Sequence, residues 1–250
     1  MAMAAPRYAS VAVIGAGDFI GAAIARRFAA EGYLVFAGRR QGEKLKPLKA
    51  EIEAAGGRIV PRSLDARDEE QMIAFLADAE SAAPLEVCIF NIGANVQFPL
   101  LETTARVFRK VWEMACLAGF LTTREAARHM VPRGSGSIFL TGATAGLRGG
   151  AGYAAFASAK FGLRALAQSA ARELGPQGIH VAHLVIDAGV DTAFVRDRIR
   201  ERGGQAALDR LEPGDLMRPE AVADAYWALH RQPPDAWTFE QEIRPAGEAW

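Results

Sequence analysis

Short apolar runs alternate with longer segments of helical spacing along most of this chain, and that alternation limits its possible folds more than any other feature. Strands are expected at residues 11–14, 33–37, 58–64, 86–90, 137–141 and 179–186. Helices are expected between them at residues 20–30, 45–55, 69–79, 103–130 and 153–174. Gly56 and Gly57 stop the second helix, and Pro132 and Gly134 follow the fourth. A strand–helix–strand order of this kind predicts an α/β protein: a Rossmann-like, doubly wound parallel sheet flanked by helices on both faces. No internal repeat or linker-like tract interrupts it, so residues 1–250 read as a single domain, with turns at Pro213-Gly214 and Pro233-Pro234.

Half of the residues are hydrophobic and 23% are charged, enough for a sizeable core and unlike a disordered chain. Lys plus Arg equals Asp plus Glu, 29 against 29, so no global field draws the chain to nucleic acid or to a membrane surface. Cys88 and Cys116 sit far apart in apolar segments and read as reduced core residues. The first ten residues contain no charged region followed by a long apolar run, and the expected location is cytoplasmic. His180 and His183 have no third ligand at metal spacing, so no metal site is expected, and His230 reads as a solvated helix-end residue.

The first expected strand runs into Gly15-Ala16-Gly17-Asp18-Phe19-Ile20-Gly21. Glycines there let the backbone turn tightly and approach a pyrophosphate, and the next helix offers free N–H groups and its positive end. Such a loop alone is a weak signal, since 25 glycines produce close spacings by chance; the strand before it and the helix after it raise its weight. About 20 residues further on, the second strand ends in Gly38-Arg39-Arg40. A carboxylate at this place holds the ribose 2′-hydroxyl of NAD, whereas arginine accommodates the 2′-phosphate of NADP. The absence of an acid beside two guanidiniums favours NADP(H) over NAD(H), with Asp18 as a local counterweight.

Residues 153–160, Tyr-Ala-Ala-Phe-Ala-Ser-Ala-Lys, come about 140 residues after that loop. Together these segments resemble the short-chain dehydrogenase/reductase family over residues 10–226. The resemblance implies that Gly15, Gly17, Phe19, Ile20 and Gly21 carry the pyrophosphate, and that Arg39 takes the 2′-phosphate. It places Asp65 and Ala66 at the adenine ring, and Asn91 and Gly93 in the turn after the fourth strand. Lys160 matches the lysine that holds the nicotinamide ribose, and Val190 and Thr192 match the segment that clasps the carboxamide. In that segment Asp187 and Ala188 replace a Pro-Gly pair. Residues 194–218 follow where the family places a mobile substrate lid; two short solvated helices are the other reading of the same charged stretch. Related proteins pair through their two long helices, so a homodimer or homotetramer is expected.

The departures fall on the chemistry. The family's serine, tyrosine and asparagine positions are occupied by Ala143, Phe156 and Cys116, and only Lys160 remains of the four. Phenylalanine has no proton to give, and alanine cannot orient a carbonyl. Tyr153, three residues before Phe156 and seven before Lys160, shares a face with both if the helix runs back to it, and Thr144 follows the vacant serine position. These two are the substitute hydroxyls. General acid–base catalysis is worth roughly 10²–10⁴-fold and positioning of reactants more, so an intact cofactor site can outlast a broken relay. Two functions therefore stand: an NAD(P)(H)-dependent oxidoreductase for a small carbonyl or alcohol with a non-standard proton relay, or a catalytically silent NADP(H)-binding sensor or structural subunit.

Overall fold

The computed structural model describes residues 3–248. Its strands are β1 (Ser10–Ile14), β2 (Leu34–Arg39), β3 (Arg58–Ser63), β4 (Leu85–Phe90), β5 (Gly136–Thr141), β6 (Ile179–Ile186) and β7 (Glu240–Ile243). They form one sheet in the order β3-β2-β1-β4-β5-β6-β7, parallel at every pairing. The helices are α1 (Ile20–Ala30), α2 (Lys46–Ala54), α3 (Glu69–Ala82), α4 (Ala105–Trp112), α5 (Ala118–Met130), α6 (Ala154–Leu174), α7 (Ala193–Gly203), α8 (Gln205–Asp209) and α9 (Pro219–His230).

The alternation of side chains along a strand explains the two-faced core. Val11 and Val13 of β1 face a cluster with Phe28 of α1, Ile52 of α2 and Tyr226 and Trp227 of α9. Ala12 and Ile14 face the other cluster, with Leu76 of α3, Leu121 of α5 and Leu163 of α6. Helices therefore cover both faces, and the central strands read as continuous apolar runs because neither side meets water.

Three differences from the sequence expectation have physical causes. The long helix expected at residues 103–130 is broken: α4 passes through one π turn, Glu113–Leu117, into α5. Hydrophobic spacing does not register a single extra residue in a turn. Tyr153 lies at the N-cap of α6 with φ −110° and ψ 19°, outside the helix, after Gly152 with φ +81°. The expected alternation ends at residue 186, but α9 and the edge strand β7 follow. β7 reads Glu-Gln-Glu-Ile, too short and polar for periodicity to register. It is tied on by side chains: Glu240 pairs with Arg164 and accepts from His183 Nδ1 at 3.0 Å.

His180, His183 and His230 pack and bond within the frame. Burial holds His183 down at about 4, so it is neutral at pH 7. His230 is not a solvated helix-end residue; its ring lies 2.8 Å from the Tyr33 hydroxyl and 3.0 Å from Ser137 Oγ. Burial, with Arg7 and His180 nearby, also lowers it to about 4. Among the described residues no helix is long and apolar enough to cross a membrane.

Candidate active site

The strand order reverses between β1 and β4, so the turns after these strands diverge and open a cleft at their C-terminal ends. Gly15 takes φ +90°, and a Cβ there would lie 2.5 Å from the Asn91 carbonyl oxygen. Asn91 Nδ2 donates to the Gly15 carbonyl at 3.2 Å and holds this approach. A Cβ on Gly21 would strike Ala16 Cα at 2.6 Å, so α1 can start close under the loop only with glycine. No side chain caps the first turn of α1; Ala22 N donates to the Gly17 carbonyl at 2.9 Å, and the N–H groups ahead of it stay available to an anion.

A Cβ on Gly17 or Gly93 would meet nothing within 4 Å, because both face open space. Two cavities meet there and share Gly15, Gly17, Asn91, Ile92 and Gly93. One, of about 530 Å³, is lined by Arg39, Arg40, Asp65 and Ala66. The other, of about 440 Å³, is lined by Phe19, Ile20, Gly21, Lys160, Val190 and Thr192, together with Ala143 and Phe156. Each residue expected at the cofactor from sequence thus borders one cavity or the other. A two-part cleft with bare glycine backbone and a helix N-terminus at its waist suits a dinucleotide with its pyrophosphate at the waist.

Packing explains why the end of β2 carries no acid. A Cβ on Gly38 would lie 2.7 Å from Leu64 Cδ2 and 3.2 Å from the Phe75 ring. Arg39 follows, and Asp18 Oδ1 accepts from its Nη1 at 2.6 Å. The aspartate therefore orients Arg39, whose remaining N–H groups stay available. Arg67, which sequence reasoning missed, forks onto both oxygens of Asp65 and holds that carboxyl below its usual range.

At the far end, Lys160 is 1% exposed. Its Nζ donates to the carbonyls of Thr141 at 2.8 Å and Ile92 at 3.2 Å. An ammonium has three N–H groups, so one remains uncommitted. Burial lowers its pKa to about 8, with a small opposing effect of Cys116. The Phe156 ring centroid lies 6.0 Å from Nζ. Cys116 sits in the π turn, where glycine at position 162 lets α6 approach: a Cβ there would lie 2.9 Å from Cys116 Sγ. Burial raises the Cys116 thiol, so it is not a ready thiolate.

The two substitute hydroxyls lie elsewhere. Tyr153 is turned to the rim, its hydroxyl 3.4 Å from Gln97 Oε1 and accepting from Arg198 Nη2 at 3.1 Å. Thr144 starts a 3-10 turn and is not in the wall of the Lys160 cavity. Sequence reasoning noticed Asp187 only as a replacement for proline. Its carboxylate is 2% exposed and accepts from Arg244 Nη2 at 2.8 Å, with Arg148 Nη2 at 3.4 Å. These contacts join three loops that are distant in sequence, so no local signal marks them.

A parallel doubly wound sheet with its cleft at the β1/β4 switch defines a Rossmann-type α/β protein. The chain belongs to the short-chain dehydrogenase family, whose profile matches residues 9–203. It is similar to the crystal structure of a short-chain dehydrogenase from Rhodopseudomonas palustris: 64% identity, TM-score 0.83, 96% of this chain and 100% of that one covered. A metagenomic short-chain oxidoreductase solved in complex with NADP is 26% identical, TM-score 0.79, covering 97% of this chain and all of that one. Among curated relatives, the cis-4-hydroxycyclohexanecarboxylate dehydrogenase of Sinomonas cyclohexanicum is 33% identical over 85% of both chains. The chain is thus an oxidoreductase of short-chain dehydrogenase type.

The glycines separate into two kinds by experiment. Gly21→Ala should cost about 1–3 kcal/mol in chemical denaturation of the unliganded protein, because the added methyl meets backbone. Gly17→Ala should stay within about 0.5 kcal/mol of wild type, since the methyl enters open space, yet weaken dinucleotide binding. Equal destabilisation by both substitutions would show that the open space at Gly17 is not a ligand cradle.

Proposed function

We propose that this protein is an NADP(H)-preferring oxidoreductase for a small carbonyl or alcohol, with Lys160 as the proton-handling group. The observation that carries this reading is the intact two-part cleft ending on a buried lysine whose third N–H is free. NADP(H), when bound, supplies or accepts the hydride. Arg39, with Arg40, would hold the 2′-phosphate; Gly15, Gly17 and Gly21 the pyrophosphate; Asp65 and Ala66 the adenine side; and Lys160, Val190 and Thr192 the nicotinamide half. Asn91 and Gly93 would border the middle.

Phe156 and Ala143 offer no proton at the reacting oxygen. The Lys160 ammonium does, because burial brings its pKa down to about 8, close to working pH. Its carbonyl partners Thr141 and Ile92 fix the direction of Nζ, and the apolar Phe156 ring excludes water beside it. Tyr153 and Thr144 stand as secondary candidates for the acid; the Tyr153 hydroxyl is engaged by Gln97 and Arg198. Residues 194–218, which include α8 and all of α7 but its first residue, fit the part of a lid, with Phe194 and Val195 in the cavity wall.

Titration with NADPH and NADH followed by a carbonyl panel, read at the nicotinamide absorbance, tests the reading. NADPH should bind more tightly, and Arg39→Asp should weaken NADPH and strengthen NADH. Equal affinity of the wild type for both cofactors refutes the preference.

Carbonyl reduction should fall as pH rises through about 8, as the Lys160 ammonium is lost. Lys160→Met should lower kcat by roughly 10²–10⁴-fold. A collapse of kcat in Tyr153→Phe, with no pH step near 8 in the wild type, transfers the acid role to the phenol. NADPH binding without turnover of any substrate favours the silent cofactor-binding protein, a reading that Phe156 and Ala143 support.

We also propose a homo-oligomer formed through α4 and α6. Phe108, Trp112 and Phe161 on these helices are 40–42% exposed, an aromatic face that a second copy would cover. Light scattering should give a dimer or tetramer at micromolar concentration, and a 26.8 kDa species rules this out.

A further inference from the structure

Helix α7 carries four arginines on alternate residues, and they fall into two pairs. Arg196 pairs with Asp191 at 2.5 Å and Arg200 with Asp197 at 2.6 Å, so their charges are met. Arg198 and Arg202, one turn apart on one face, both donate to the same neutral atom, Gln97 Oε1, at 2.8 and 3.1 Å. Arg198 also donates to the Tyr153 hydroxyl at 3.1 Å. Among the described residues no carboxylate lies within 4.0 Å of either guanidinium. Two cations that converge on one amide oxygen repel each other, and most of their N–H groups are uncommitted. The pair presents converging donors suited to an anion.

The cluster is built into the fold. Phe98 N donates to the Gly152 carbonyl at 2.8 Å, which pins the segment bearing Gln97 against the start of α6. Gly152 has φ +81°, and a Cβ there would lie 3.0 Å from Gln97 Cγ, so the approach requires glycine. The Arg198 guanidinium lies 5.5 Å over the Phe194 ring, which fixes its direction.

Its place relative to the Lys160 cavity gives it a use. Phe194, Asn95 and Phe156 line that cavity. Arg198 is one turn beyond Phe194, Gln97 two residues beyond Asn95, and Tyr153 three residues before Phe156. Arg198 lies over the Phe194 ring of the cavity wall, so the cluster sits beside the cavity. The cavity between is largely apolar, walled by Ile92, Phe156, Ala188, Val190 and Phe194.

We infer that the substrate is an amphiphilic anion: a carbonyl or alcohol on an apolar body whose carboxylate is received beside the cavity by Arg198 and Arg202. This inference rests on the oxidoreductase reading above and narrows its substrate class. Forked guanidinium contacts to a carboxylate satisfy the free donors and remove the repulsion between the two arginines. Gln97 and Tyr153 position the pair.

The test uses 4-(hydroxymethyl)benzoate and its neutral methyl ester as probes, titrated calorimetrically into the unliganded protein and into the NADPH-loaded protein, where an alcohol cannot react. The acid should bind at least about tenfold more tightly than the ester. Arg198→Gln/Arg202→Gln, which alters only partly or fully exposed positions of α7, should erase that preference while NADPH affinity holds. Equal affinity for acid and ester, a preference that survives the double variant, or no binding of either probe in both forms overturns the inference. Failure of NADPH to bind strikes the cofactor reading instead, while the anion preference is still read in the unliganded protein.

Discussion

The junction at the C-terminal ends of β1, β4 and β5 is the contact on which the rest of the molecule depends. Asn91 donates to the Gly15 carbonyl, and Thr141 Oγ1 donates to Asn91 Oδ1 at 3.2 Å. The Thr141 hydroxyl lies 2.6 Å from the Tyr226 hydroxyl of α9, and the Thr141 carbonyl accepts from Lys160. One short chain of hydrogen bonds thus joins the glycine loop, the sheet, the C-terminal helix and the charged end of the cleft. Buried polar chains of this kind are costly when broken and stiffen what they join when complete. Here they set the distance between the glycine loop and the lysine.

That stiffness bears on a charge the fold would otherwise avoid. An ammonium 1% exposed, with no carboxylate within 4.0 Å among the described residues, loses solvation that two carbonyl contacts replace only in part. Its lowered pKa is the sign of this cost. A methionine would fill the same space without it. Phe156 and Ala143 have no ionisable group, so Lys160 carries the charge at this end of the cavity.

Charge is handled differently along the cleft. At the β2 end, Asp18 and Asp65 hold Arg39 and Arg67 in forked or single contacts and leave donors over. Beside the Lys160 cavity, Arg148 and Arg244 converge on buried Asp187 and tie the segment after β6 to the turn after β5 and to the chain after β7. At the rim, Arg198 and Arg202 share only neutral acceptors. The pattern runs from charge paired with carboxylates within the frame to guanidiniums on neutral acceptors at α7, and it arises in a chain whose formal charges sum to zero.

What the sequence determined by itself was periodic or local. The spacing of apolar residues places six of the seven strands and the helices between them, and β6 falls on residues 179–186 as expected. Glycines before α1, the arginines at the end of β2 and Lys160 in its helix are legible because they stand in local sequence patterns. The tertiary structure decided everything that depends on two distant segments meeting. It put a π turn under Cys116, turned Tyr153 out to the rim by a φ of +81° at Gly152, added β7 through Glu240, Arg164 and His183, and gathered Arg148, Asp187 and Arg244. Apolar periodicity carries the direction in which each segment faces. It carries no information on which polar side chains will then share a few ångströms, because that is fixed only when the sheet has set the distances between its loops.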